Sequence, residues 1–373
     1  MEILKYTQAH HDYRKRLQDY LRGAVVPLIA QCEAKHITPR SMWTGMGENG
    51  FLCPSLPTEY GGQGLDFLYA VIVWEELSRI NFTGLAAGLH SDIVVPYILS
   101  FGTEEQKQKY LPGTATGEII TAVAMTEPDA GSDVASMETT AVQEGDTIVI
   151  NGSKTFISNG VNCDVVVLAA RDPEITDKHK AVSLYLVEAD TPGFTKGKPF
   201  EKMGWASQDT AELFFSNCRI PAANRLGEPG QGFVMLMQKL QQERLVCAVG
   251  GVCNAEAMVE ETLAHFRGNK PSQAIQFALA EMVSEVKMVR AFTDTVVADH
   301  MAGKQVIQET SMAKYWNTDL SKRMASRCLD LLGAEAATEA CPLVRGFRDV
   351  RVTSIFAGTN EIMKGIIAKT LGF

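Results

Sequence analysis

Apolar positions recur at helical spacing through the first part of the chain, give way to short β-rich runs in the middle, and return to helical spacing towards the end. Residues 1–118 read as a helical domain, with apolar stripes through Leu68-Tyr69-Ala70-Val71-Ile72-Val73-Trp74 and from Ile93 to Leu99. Thr103-Glu104-Glu105-Gln106 has the form of a capping box, predicting a short helix that stops at Pro112. Gly61-Gly62-Gln63-Gly64 reads as a loop. Residues 119–224 read as a β-domain, a small barrel or sandwich. Its runs Ile148-Val149-Ile150, Val165-Val166-Val167-Leu168 and Val182-Ser183-Leu184-Tyr185-Leu186-Val187 are divided by turn signals such as Glu144-Gly145-Asp146 and Thr191-Pro192-Gly193. Residues 225–373 read as a C-terminal helical bundle. Helix, then sheet, then helix, without alternation, argues against a Rossmann fold.

A length of 373 residues predicts two or three domains. A formal net charge of −9 argues against nucleic acid or an anionic membrane as the main partner. No apolar run is long enough for a membrane span. The eight cysteines are scattered with no C-x-x-C pair, so no zinc knot is expected, and several sit in apolar runs as buried free thiols would. That usage fits a reducing compartment. The opening stretch lacks the apolar core of a signal peptide, and a cytoplasmic protein is expected.

Four segments carry candidate chemistry. On a helix beginning near Gly232, Leu236, Leu240, Glu243 and Cys247 share one stripe at i, i+4, i+7 and i+11. A carboxylate on an apolar stripe is costly unless used or paired, and desolvation lifts its pKa towards the range of a general base. The competing reading pairs it with Arg244 or Lys239. Met125-Thr126-Glu127-Pro128-Asp129-Ala130-Gly131-Ser132-Asp133 runs from a strand into a turn of small residues, suited to a phosphate-bearing ligand or simply a surface turn. In Lys154-Thr155-Phe156-Ile157-Ser158-Asn159-Gly160, the ring of Phe156 and hydroxyl of Ser158 share one side of a strand, as a flat heterocycle would need and as ordinary packing also allows. Phe356-Ala357-Gly358-Thr359-Asn360-Glu361-Ile362 places a glycine before a C-terminal helix, either an anion site or a plain cap.

In this order the segments resemble the acyl-CoA dehydrogenase family over nearly the whole chain. The phrases Thr126-Glu127-Pro128, Gly131-Ser132-Asp133, Ile157-Ser158-Asn159-Gly160, Gln208-Asp209-Thr210-Ala211-Glu212-Leu213-Phe214 and Ala357-Gly358-Thr359-Asn360-Glu361 carry the likeness. Gln242-Glu243-Arg244-Leu245 and His90-Ser91-Asp92-Ile93-Val94 resemble the long-chain and isovaleryl-type branch. The resemblance implies a mainly α fold: an N-terminal helical domain, a central β-barrel domain and a C-terminal four-helix bundle. It implies FAD as cofactor, with Met125, Thr126 and Ser132 bordering the flavin and the CoA thioester arm. It further implies Phe156, Ile157 and Ser158 against the isoalloxazine, Ser158 near N5, and Thr359 and Glu361 at the phosphate and adenosine end. Arg244 would lie beside the CoA moiety, with Asp92, Ala357 and Gly358 in the substrate pocket.

Many members carry their base just before the C-terminal Gly-Thr, where this chain has Ala357. The long-chain branch carries it on the bundle helix, matching Glu243. The resemblance thus implies that Glu243 removes the α-proton while a hydride passes from the β-carbon to flavin N5. The N–H of Ala357 and a ribityl hydroxyl would stabilise the enolate-like oxygen. Electron-transfer flavoprotein is the implied electron acceptor, and a homotetramer, or a heteromer with a related subunit, the implied assembly.

Two segments depart from the family. The usual Arg-x-x-Phe-Gly loop is replaced by the shorter His265-Phe266-Arg267-Gly268-Asn269-Lys270-Pro271-Ser272-Gln273. The usual Gln-x-x-Gly-Gly-x-Gly appears as Asp330-Leu331-Leu332-Gly333-Ala334-Glu335-Ala336. Acids there would repel a pyrophosphate. Either FAD is held mainly within the subunit, or a different subunit completes the site. Asp92 is expected to be a hydrogen-bonded acid of the pocket wall, the alternative being catalysis on a cyclic or unsaturated acyl group. The competing functions are a flavin-poor acyl-thioester-binding subunit of a heteromeric acyl-CoA dehydrogenase and a desaturase acting on a cyclic or carrier-bound acyl group.

Overall fold

The structure, a computed structural model, describes residues 3–268 and 271–373. Six helices precede the sheet: α1 Gln8–Tyr20, α2 Ile29–Lys35, α3 Arg40–Glu48, α4 Phe67–Arg79, α5 Val95–Phe101 and α6 Glu104–Thr116. Helix α4 starts where Asp66 accepts from the Leu68 N–H at 2.9 Å. Almost every side chain from Leu68 to Val73 is buried, because the helix is covered on two sides. Tyr69, Ile72 and Val73 enter the N-terminal core, while Leu68 and Val71 enter the core of the C-terminal bundle.

The capping box of α6 forms as expected, with Thr103 Oγ1 accepting from Gln106 N–H and the Gln106 side chain accepting from Thr103 N–H. The helix does not stop at Pro112. It runs through it to Thr116 and ends at Gly117, whose φ of +77° is a left-handed cap. Proline removes one N–H and leaves the rest of the last turn able to form.

The middle strands are β1 Thr121–Ala124, β2 Thr140–Glu144, β3 Thr147–Ile157, β4 Val165–Arg171, β5 Val182–Glu188, β6 Phe194–Lys196, β7 Ala211–Pro221 and β8 Arg225–Leu226. They form one mixed sheet in the order β6-β7-β3-β2-β4-β5-β8, with β1 parallel to β4. The runs read as strands from the sequence fall inside β3, β4 and β5. Alternation divides β4 and β5 between two cores. Val165, Val167, Ala169, Leu184 and Leu186 face the helices, whereas Val166, Leu168, Ala170, Tyr185 and Val187 fill the β-domain. A short helix, α7 Lys178–Ala181, joins β4 to β5.

The bundle comprises α8 Gly232–Phe266, α9 Gln273–Met301, α10 Ile307–Leu332, α11 Pro342–Asp349 and α12 Asn360–Thr370. Helices α8 and α10 lie so close that a Cβ on Gly251 would sit 3.1 Å from the backbone of Asn317. Asn317 seals the crossing, its amide donating to the Ala248 carbonyl at 2.9 Å. This contact fixes the height of α8 against α10.

Candidate active site

Glu243 lies about a third of the way along α8 and is 3% exposed. The alternative pairing with a neighbouring cation does not form among the described residues. Lys239 turns to Ser100, donating to its hydroxyl at 2.5 Å, and Arg244 makes no ion pair. The partner of Glu243 is Tyr97 on α5, whose phenol donates to Oε1 at 2.5 Å. Burial pushes the carboxyl up to about 7, opposed by the Tyr97 hydrogen bond and by the charges of Arg244 and Lys239. A group poised near neutrality suits a general base.

Arg244, the next residue, faces the turn before α12. Its Nε is buried with no hydrogen-bond partner. A Cβ on Gly358 would meet this nitrogen at 3.9 Å, so α8 and the turn are in contact. Ala357 and Gly358 are both left-handed, with φ of +52° and +86°. For alanine this conformation is strained. Among the described residues the N–H groups of Ala357, Gly358 and Thr359 donate no hydrogen bond, leaving three adjacent donors for a ligand. Lys314 of α10 anchors the turn from behind, its fully buried amine donating to the Gly358 carbonyl at 2.6 Å. Thr359 caps α12, accepting from Ile362 N–H at 3.2 Å, so the plain-cap reading holds for its side chain. Glu361 is exposed in the first turn of α12.

A second cluster forms where β1 and β3 end, joined to the first by no hydrogen bond or ion pair among the described residues. Met125 and Thr126 are half-buried, and the Thr126 carbonyl accepts from Thr155 N–H at 2.9 Å. Lys154, fully buried, donates to the Met125 carbonyl at 3.0 Å and to Glu127 at 2.7 Å. Glu127 also accepts from the N–H groups of Glu138 and Thr139, tying the Met125–Asp133 loop to the segment just ahead of β2. Ser132 is exposed on that loop.

The same-side argument for Phe156 and Ser158 fails on geometry. The register slips between Lys154 and Ile157, and Phe156 has a φ of +57°, so the strand's alternation is broken there. The bulge turns Phe156 outward, 67% exposed, while Ile157 packs inside the β-domain core and Ser158 lies half-buried in the following turn. Ile157 can therefore address a ligand only through its backbone.

Asp92 lies in a π-helical turn, Leu89–Val94, immediately ahead of α5. It is buried and accepts from Trp74 Nε1 at 2.9 Å, and burial pushes its carboxyl up to about 7. Trp74 is wedged tightly: a Cβ on Gly88 would lie 2.1 Å from its ring and one on Gly250 at 3.2 Å.

Comparison with known proteins is consistent along the chain. The family models for the N-terminal, middle and C-terminal domains of acyl-CoA dehydrogenase match residues 7–118, 122–218 and 230–372. The chain belongs to the acyl-CoA dehydrogenase family. It is 38% identical over 98% of its length to the long-chain specific acyl-CoA dehydrogenase of Rattus norvegicus, covering 87% of that protein. Isovaleryl-CoA dehydrogenase of Pongo abelii is 32% identical over 97% of the chain and 87% of its own length. A crystal structure of acyl-CoA dehydrogenase from Geobacillus kaustophilus superposes with a TM-score of 0.97 at 48% identity, covering 99% of both chains.

Acyl-CoA dehydrogenases are FAD flavoproteins, and the residues present fit that group. An outward-turned aromatic at a strained backbone position, three unpaired N–H groups and an orphaned Arg244 Nε are the features a large polar cofactor and a thioester ligand would satisfy. The altered segments fit the adenosine end less well. Asp330 is exposed at the end of α10, and Glu335 pairs with His265 at 3.6 Å. Of the shortened loop, Asn269 and Lys270 lie outside the described residues. No helix among the described residues is long and apolar enough to cross a membrane.

Three functional neighbours were not visible in the sequence: Tyr97, Lys314 and Trp74. Tyr97 and Trp74 fall within the apolar stripes of their helices, and Lys314 lies in a segment to which no chemistry was assigned.

Proposed function

We propose that this acyl-CoA dehydrogenase oxidises the Cα–Cβ bond of an acyl-CoA to the 2-enoyl-CoA with Glu243 as the base. The observation that carries the reading is a buried carboxylate that forms no ion pair among the described residues, and whose neighbour Arg244 packs on a turn of unpaired backbone donors. Glu243 takes the α-proton. The N–H of Ala357 donates to the thioester oxygen and stabilises the negative charge that grows there, which makes the α-proton removable by a carboxylate. Arg244, its Nε free, donates to the CoA arm, and Gly358 allows that arm close to the backbone. Bound FAD supplies the acceptor for the two electrons and the hydrogen that leave the β-carbon as hydride. Met125, Thr126, Phe156, Ser158 and the backbone of Ile157 would hold its ring, Ser132 would border the flavin and the CoA thioester arm, and Thr359 and Glu361 would hold the phosphate and adenosine end. Asp92 holds Trp74 as part of the acyl-pocket wall. Electron-transfer flavoprotein as oxidant and a tetrameric assembly follow from the family resemblance.

The test is anaerobic bleaching of the yellow holoprotein by straight, branched and cyclic acyl-CoAs. Glu243→Gln should keep the flavin and slow bleaching by roughly three orders of magnitude or more. Full activity in that variant would remove Glu243 from its role. A protein that takes up no flavin would favour the acyl-thioester-binding alternative, and bleaching only by carrier-bound acyl groups the desaturase.

A further inference from the structure

Glu243 has one hydrogen-bond partner among the described residues, and it comes from another helix. Tyr97 is fully buried on α5, and its phenol reaches no other acceptor among the described residues. The π-helical turn Leu89–Val94 and Pro96 in the first turn of α5 set the aim of this side chain. A π-turn carries an extra residue and rotates every later position relative to an unbroken α-helix. Tyr97 therefore points where it does because the backbone ahead of it is irregular.

We propose that Tyr97 is the positioning residue of the catalytic base: its phenol grips one carboxylate oxygen of Glu243, fixes the rotamer and sets the group's affinity for its proton. The inference rests on the reading of Glu243 as the base.

The other groups around the carboxylate are engaged elsewhere. On α8 itself, Lys239 is bonded to Ser100 and Arg244 stands against Gly358. Cys247, one turn further on, is pushed by burial to about 12 and stays a thiol. From α10, Lys314 is committed to the Gly358 carbonyl. From the π-turn, Asp92 is held by Trp74. Among the described residues, Tyr97 thus makes the single hydrogen bond to the charge on the base. A short O–H···O⁻ bond in a desolvated site is of the charge-assisted kind and favours the ionised acid.

The sign follows. Removing the phenolic hydroxyl leaves a buried carboxylate with no donor, so its pKa rises. The base works ionised, so the rate holds above that pKa and falls as pH drops through it. The acid limb of kcat/KM must then move to higher pH.

The experiment compares wild type, Tyr97→Phe and Glu243→Gln holoenzymes from acid to mildly alkaline pH. Tyr97→Phe should move the acid limb upward by about one pH unit or more, a roughly tenfold loss of kcat/KM below it. At alkaline pH its rate should recover, with KM for the acyl-CoA changed by less than about twofold. Placing 3-fluorotyrosine at position 97 keeps the shape and strengthens the donor, and should move the limb the other way. Isotope-edited infrared titration of the Glu243 carboxyl, without substrate, should report the same shifts independently of turnover. An unmoved limb with equal loss at every pH would reduce Tyr97 to core packing and overturn the proposal. If Tyr97→Phe does not fold, an unmoved carboxyl titration in the fluorotyrosine protein overturns it instead. Activity retained in Glu243→Gln would sink the base assignment, whereas an inactive Glu243→Gln beside an unshifted Tyr97→Phe sinks the Tyr97 role alone.

Discussion

At the scale of single residues, the candidate base is a burden on the fold. Burial raises its pKa from 4.5 to about 7, so the folded protein holds this proton more tightly than the unfolded chain does. For an acid shifted upward, the favourable contribution is complete below the unfolded value and is lost as pH rises through the folded one. At about 1.4 kcal/mol per unit, folding loses roughly 3 kcal/mol from this group between acid and neutral pH. Glu243→Gln should therefore be more stable than the parent by about 1–3 kcal/mol at alkaline pH, the gap closing as pH falls to about 4.5. Thermal denaturation at several pH values checks this, and equal stability of the two proteins at high pH would contradict it. The stripe containing Leu236, Glu243 and Cys247 was legible as a helix face because its spacing is local. The left-handed Ala357 was not, since nothing about alanine announces that conformation.

At the scale of elements, the strand β3 and the loop that follows β1 are held as one unit by Lys154. Its amine, fully buried, bonds Glu127 and the Met125 carbonyl, and burial lowers its pKa to about 8 against the pull of Glu127. Lys154→Met would leave Glu127 an uncompensated buried carboxylate and free the loop that carries Thr126 and Ser132. A loss of about 3–5 kcal/mol in urea denaturation is expected. Weakened flavin retention, read as lost absorbance on gel filtration, should accompany it. Retained flavin and unchanged stability would show the latch to be dispensable. The β-runs themselves were plain from their alternation, but the bulge that turns Phe156 outward was not. A register slip depends on the partner strand β7, far along the chain. Pro112 taught the converse: a local breaker loses to a helix whose remaining turn is already packed.

At the scale of the whole molecule, Arg290 of α9 ties the N-terminal helices to the bundle. Its guanidinium pairs with Glu75 of α4, with Glu256 of α8 at 2.9 Å and with Asp294 at 2.6 Å, and Glu75 is shared with Arg14 of α1. Removing the central cation leaves two or three acids facing one another at low dielectric. Arg290→Met is expected to cost about 3–5 kcal/mol, with only partial relief from added salt because Glu75 is buried and the rest of the network half-buried. Chemical denaturation at low and high salt measures both parts. A loss below about 1 kcal/mol would place the network among ordinary surface pairs.

The order of helix, sheet and helix, the positions of elements such as α4, α6, β3, β4, β5 and α8, and the phrases that mark the family were determined by the sequence alone. Those features come from hydrophobic period, turn chemistry and short-range sterics, which act between residues a few positions apart. Tertiary structure decided which acid is desolvated, which phenol holds it and which backbone donors are left free. Tyr97 and Glu243 are 146 positions apart, and Lys314 and Gly358 44. Burial and pairing across such separations exist only once the three parts of the chain have packed together, because solvent exclusion is a property of the assembled core.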